Sequence, residues 1–203
     1  MRTTKKITKR QLQAMETRNK LFETAKQLFM KHGFETVTID EIVEEAGTSK
    51  GAFYTHFKSK DQILLEQFKE IDNYYLEIYK KIKRRRKAGN QLLAFVKAQH
   101  HYIAEVLGID FIKTVYSSHI NNSIDYLNEV NRPLYAIVEE IISKGQQKGE
   151  FRTDKDAAEM TMAITRCMRG TIYDWCVRNG EFDIVQDGYS YFQLIIDSLK
   201  KND

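Results

Sequence analysis

Apolar positions along the chain recur every three to four residues and almost never alternate, so helices are predicted throughout. Leu21, Phe22, Ala25, Leu28 and Phe29 form one such stripe, which stops at Lys31, His32 and Gly33, basic residues and a glycine suited to a helix end. Thr38-Ile-Asp-Glu41 then has the form of a capping box, in which hydroxyl and carboxylate each satisfy an exposed backbone N–H. Ile39, Ile42, Val43 and Ala46 give a short second helix its apolar face, and Gly47-Thr48-Ser49 breaks it. Residues 50–57 predict a third helix, with Phe53 and Phe57 pointing inward one turn apart. After Lys58-Ser59-Lys60, where Ser59 and Gln62 have cap spacing, Leu64, Phe68, Ile71, Tyr75, Ile78 and Ile82 hold a long helical stripe. It ends in a basic run before Gly89-Asn90. Further helices are predicted over 91–107, 109–115 and 121–148, the last bent at Pro133. Thr153-x-x-Asp156 opens another over 153–180, and 184–199 carries Val185, Tyr189, Phe192, Ile195, Ile196 and Leu199 on one side. The predicted fold is all-α.

Composition supports long helices, because only one of the 203 residues is proline. Hydrophobic residues at 42% exclude a disordered chain, and two cysteines exclude a disulfide scaffold. Cys167 and Cys176 lie nine residues apart in one predicted helix, about 13 Å along its axis, too far for a disulfide. Both are expected to be buried, reduced thiols, which fits the cytoplasm. The basic opening MRTTKKITKRQLQ lacks the apolar stretch of a secretory signal, and no run is long enough for a membrane span.

Charge changes the picture more. The whole chain carries +4, but residues 1–60 hold 12 Lys/Arg against 7 Asp/Glu, while the other 143 hold 20 against 21. A basic N-terminal part facing a polyanion and a nearly neutral body are implied. Three short helices with a tight Gly-Thr-Ser turn before the third make a helix-turn-helix pattern. Lys50, Gly51, Ala52, Tyr54, Thr55 and His56 point away from Phe53 and Phe57, offering donors and small residues for close approach. A helix beginning at Ser49-Lys50 also directs free N–H groups outward, suited to phosphate.

The stretch GFETVTIDEIVEEAGTSKGAFYTHFKSKDQIL, from Gly33 to Leu64, resembles the DNA-binding motif of the TetR family of bacterial transcription regulators. RGTIYDWCVRNGEFD, from Arg169 to Asp183, resembles the penultimate helix of many members. The resemblance implies DNA contacts from Thr38, Thr48, Ser49, Lys50 and Gly51, with Ala52 in the same recognition element, and phosphate contacts from Tyr54, Thr55, His56 and Lys60. Many members carry Val or Ile where this chain has Thr48. Lysine pairs with guanine acceptors in the major groove, so base reading is expected to concentrate in Lys50. Arg2, Lys5, Lys6, Lys9 and Arg10 fit either a minor-groove arm or a solvated tail.

Other clusters suggest less. Lys80, Lys81, Lys83, Arg84, Arg85, Arg86 and Lys87 begin about 30 Å up a helix from Lys60, so a solvated helix end is the better reading than a second nucleic-acid site. His100 and His101 point to different sides of a helix and do not readily share one ion with His119 and Glu105, so no metal site and no cofactor are predicted. No phosphate loop, nucleophile elbow or acid/base pair is present, so no enzyme is predicted.

The C-terminal part is rich in large side chains. Tyr74, Tyr102, Phe111, Tyr116, Arg166, Arg169, Tyr173 and Trp175 are the candidates for lining an effector cavity between helices. Arg166 and Arg169 would face either an anionic ligand or a carboxylate of the protein. The expected organisation is a DNA-binding domain over 1–60 and a ligand-binding and dimerisation domain over 61–203. The reading is a cytoplasmic, ligand-responsive repressor that binds a near-palindromic double-stranded operator as a homodimer and is released by a small molecule. The last two helices supply the expected interface, and the fourth helix the expected lever. A helical binding module with a vestigial helix-turn-helix is the alternative, and the same contacts would serve an activator.

Overall fold

The computed structural model describes residues 8–120 and 131–201, with side chains through 117 in the first stretch. The described residues are almost wholly helical: α1 (Lys9–His32), α2 (Ile39–Glu45), α3 (Lys50–His56), α4 (Lys60–Ile82), α5 (Ala88–Tyr102), α6 (Ile109–Ile120), α7 (Pro133–Gln147), α8 (Ala157–Val177) and α9 (Gln186–Ser198). The sole β feature among them is an isolated bridge between Phe151 and Lys200. The helices start where local chemistry directs. Thr8 with Gln11, Thr38 with Glu41 and Asp156 with Glu159 form reciprocal capping boxes at α1, α2 and α8.

Several starts and stops differ from expectation. The cap of α8 is Asp156 rather than Thr153, because Glu159 is placed to complete the box. Ser59 caps α4 without a side-chain bond; Gln62 instead accepts from the backbone N–H of Lys58 at 2.7 Å. Pro133 does not bend a helix but begins one, where its missing N–H costs nothing. Residues 121–130 of the predicted 121–148 helix lie outside the described residues. Gly89 is not a linker but lies in the first turn of α5, where a Cβ would press on Ile196 at 3.3 Å. After α5 the chain makes a π-helical turn, Ile103–Leu107, closed by Gly108 at φ +78°. The free cysteines differ in exposure: Cys176 is buried and its thiol pushed up to about 11 by desolvation, whereas Cys167 is exposed.

Helices α1, α2 and α3 share the buried side chains Leu21, Phe29, Ile42, Phe53 and Phe57. Helix α4 runs from this group into the bundle, packing on α1 at one end and on α5 and α7 further along. Arg18 of α1 pairs with Glu66 of α4 and lies over the Phe57 ring. Helix α6 also returns to α1, where the Thr114 hydroxyl reaches the Phe29 carbonyl at 3.4 Å. The α7–α8 and α5–α9 pairs complete the bundle.

Candidate nucleic-acid interface and ligand cavity

The turn between α2 and α3 is built by a glycine. The Gly47 N–H bonds the Glu44 carbonyl and the Thr48 N–H bonds the Val43 carbonyl, a Schellman arrangement that places Gly47 at φ +57°. A side chain there would be strained, so this glycine determines the angle at which α3 departs. The Ser49 hydroxyl then accepts from the Ala52 N–H at 3.2 Å and caps α3.

Phe53 and Phe57 are buried, and the opposite face of α3 is open. Lys50, Gly51, Tyr54 and Thr55 are exposed beside Ser49 and Thr38, while Thr48, Ala52, His56 and Lys60 are half-buried. Tyr54 stands 57% exposed, its ring edge-on to Phe53. Three hydroxyls already serve the backbone: Thr38 accepts from the Glu41 N–H, Ser49 caps α3, and Thr55 donates to the Gly51 carbonyl at 2.8 Å. The Lys50 ammonium is 2.7 Å from Asp40 on α2, and that hydrogen bond holds its pKa above the usual lysine value. Lys50 and Asp40 are both mostly exposed, so the pair can open toward another anion.

Lys60 is placed differently from the expected phosphate contact. Its ammonium donates to the carbonyls of Phe34, Glu35 and Val37 at 2.7, 3.2 and 3.1 Å, over the Phe34 ring. The α1–α2 loop leaves these carbonyls without helical partners, and one ammonium satisfies all three. Lys20, absent from the expected set, brings its ammonium close to the Gly47 turn, 3.6 Å from where a Cβ would stand. It lies on the polar face of α1, far from the turn in sequence, and no spacing pattern links the two. Arg2, Lys5 and Lys6 lie outside the described residues, while Lys9 and Arg10 open α1.

The basic run at the far end of α4 is exposed. His100 is buried and His101 exposed, and no group of metal-ligating residues occurs among the described side chains. No described helix is long and apolar enough to cross a membrane.

A cleft of about 580 Å³, partly continuous with solvent, lies among α4, α5, the π-helical turn, α6, α7 and α8. Most of its wall is apolar, including Phe68, Ile71, Leu107, Ile112 and Ile172. Of the eight expected lining residues, Tyr116 and Arg169 are there; the Tyr116 hydroxyl donates to the Arg169 carbonyl at 3.0 Å. The other six are elsewhere. Tyr74 and Tyr102 stack on each other at 4.1 Å, with the Tyr74 hydroxyl on the Ala98 carbonyl. Phe111 is buried in the core, and Trp175 is buried beside the Gly180 turn. Arg166 is exposed, and Tyr173 is half-exposed with its ring against Tyr116. Arg166 and Arg169 therefore do not act as a pair, because a three-residue step rotates one outward.

Sequence reasoning passed over Tyr75, Gln99 and Arg132, which bring polar groups to the cleft. Tyr75 and Gln99 lie on helical stripes, where they read as packing, and Arg132 stands among polar neighbours just before a proline.

The chain's likeness to known proteins agrees with this arrangement. Residues 21–66 match the family described as bacterial regulatory proteins, tetR family, and residues 67–198 match the YsiA-like protein C-terminal region. The chain belongs to the TetR family. TetR-family regulators are DNA-binding proteins, not enzymes; they typically take small-molecule ligands and dimerise. A fatty acid metabolism regulator protein of Bacillus subtilis is 22% identical over 186 residues, 88% of this chain and 93% of that one. The transcriptional repressor KstR2 of Mycobacterium tuberculosis is 23% identical over 195 residues, 93% of this chain and 96% of that one. Among solved structures, the transcriptional regulator FadR from Bacillus subtilis in complex with stearoyl-CoA shares the fold of this TetR-family chain. Its TM-score is 0.77 at 21% identity, covering 89% of this chain and 98% of that one.

Proposed function

We propose that this TetR-family protein is a cytoplasmic repressor that reads a near-palindromic duplex as a homodimer and leaves it when a small molecule enters the cleft. Residues 1–60 form the DNA-reading part and 61–203 the sensing and dimerising part. The carrying observation is the open face of α3, with Lys50, Gly51, Tyr54 and Thr55 exposed directly opposite buried Phe53 and Phe57. Lys50 exchanges Asp40 for a guanine edge, and Tyr54, Thr55 and His56 approach phosphates, with Thr38, Thr48, Ser49 and Ala52 lining the approach. Lys60 holds the loop that positions α2. One α3 covers one half-site, so two-fold pairing of chains matches a two-fold operator. The effector acts through α4, which walls the cleft and begins immediately after α3, and the relative solved with stearoyl-CoA supports a small-molecule effector.

The test starts with a duplex selected from a randomised pool and labelled for fluorescence anisotropy. Lys50→Ala and Tyr54→Ala are each expected to weaken binding roughly 10-fold or more while far-UV circular dichroism and mass stay unchanged. Affinity is expected to fall steeply with salt as counterions are released. Unchanged affinity in both variants, or a flat salt profile, sinks the reading.

A further inference from the structure

The cleft's polar groups are of one kind. Two arginines, Arg132 and Arg169, line an otherwise mostly apolar wall, and no lining residue is acidic. Arg132 is 5% exposed, and its charge is balanced from behind: Nη2 donates to Asp72 Oδ1 at 2.8 Å and Nε to Asp72 Oδ2 at 3.3 Å. Asp72 lies on α4 and is 5% exposed but does not line the cleft. Arg132 thus stands between a protein carboxylate on one side and an apolar cleft on the other.

Beside it, Gln99 donates its amide to the Tyr75 hydroxyl at 2.9 Å, leaving the Gln99 Oε1 acceptor unpartnered at 4% exposure on the cleft wall. A buried acceptor without a donor is costly, and a ligand donor would relieve it. Burial pushes the Tyr75 phenol up to about 12, so it stays a neutral hydroxyl at physiological pH.

Resting on the reading of this cleft as the effector site, we propose that the effector is an amphiphile with an apolar body and an anionic head. Its head takes Arg132 from Asp72. Removing one member of a buried ion pair is strongly destabilising, but replacing a carboxylate by another anion keeps the guanidinium paired. The cost then falls on Asp72, which is left buried without its cation and must gain a proton or turn toward water. Either outcome disturbs α4, which is tied to α1 by the Arg18–Glu66 and Lys26–Glu70 pairs. Effector binding and α3 placement are thereby coupled through one ion pair, and each must bias the other.

The test uses the full chain and the neutral fluorophore N-phenyl-naphthylamine as a cleft probe, displaced by decanoate or by decanol, which has the same alkyl body. Decanoate is expected to displace the probe at about 10-fold lower concentration than decanol or better. Arg132→Gln erases that preference and leaves decanol unchanged. Asp72→Asn sharpens the preference and weakens operator binding without any effector. If Arg132→Gln loses helicity, the Asp72→Asn/Arg132→Gln double variant, which removes both charges, takes its place. Equal displacement by acid and alcohol overturns the anionic head. A preference that survives loss of Arg132, or operator affinity unchanged by Asp72→Asn, overturns the exchange. Failure of the probe to bind, or of either alkyl compound to displace it, overturns the cleft as effector site and the inference with it.

Discussion

At neutral pH the His100 imidazole is uncharged, because burial against Phe192 and α9 pushes its pKa down to about 4, with the Ile184 backbone only partly opposing. The ordinary histidine value is about 6.5, so the unfolded chain takes up a proton over a range in which the folded chain does not. His100 therefore favours the folded state above about pH 6.5, and that contribution is lost progressively as pH falls toward 4. Urea unfolding between about pH 7 and pH 5 should cost the native protein roughly 2 kcal/mol more than His100→Leu. Equal losses would mean that His100 becomes charged without leaving its site. At this same scale the DNA-facing residues were legible, because Lys50, Tyr54 and Thr55 differ from Phe53 and Phe57 only in which side of one short helix they occupy. The environment of Lys60 was not legible: its carbonyl partners lie 23 to 26 residues away.

Between elements, glycines determine two close approaches. A Cβ on Gly188 of α9 would stand 2.4 Å from His100 Nδ1 on α5, and one on Gly145 of α7 would stand 2.3 Å from the Phe151 ring. Alanine favours a helix over glycine by roughly 1 kcal/mol, yet at both positions overpacking outweighs it. Gly188→Ala and Gly145→Ala are each expected to destabilise by about 1–3 kcal/mol in urea titrations, with helicity largely retained. A rise in stability in either would show that its neighbouring ring moves freely. Helix starts were well predicted where a cap and its partner lie within four residues, as at Thr38–Glu41. Pro133 misled because the same residue that kinks a helix interior is well suited to its first position. The π-helical turn Ile103–Leu107 had no periodic mark either, since it continues the apolar stripe of α5.

For the whole molecule, the last two helices leave apolar side chains in water. Tyr173 and Val177 on α8 are 50% and 59% exposed, and Tyr191 and Leu194 on α9 are 49% and 71% exposed. These stripes support the proposed two-fold interface through α8 and α9, where large exposed apolar residues would be covered by a second copy. Val177→Asp with Leu194→Asp is expected to shift the protein from dimer to monomer in sedimentation. Operator affinity should fall with it, because two linked half-sites bind far more tightly than two separate ones. A wild-type monomer, or a variant that remains dimeric, would place the interface elsewhere.

Sequence by itself determined the helices, most of their caps, the helix-turn-helix and the outward face of α3. Each of these depends on residues within a turn or two of one another, and the electrostatic division of the chain reinforces them. Tertiary structure alone decided which large side chains face the cleft. Tyr74, Tyr102, Trp175 and Arg166 resemble Tyr116 and Arg169 in composition, and only the rotation of each helix against its neighbours separates them. It also decided the pairing of Arg132 with Asp72, 60 residues apart, since no local rule links a residue of α4 to the approach of α7. Local periodicity specifies which side of a helix is apolar; packing specifies what that side meets.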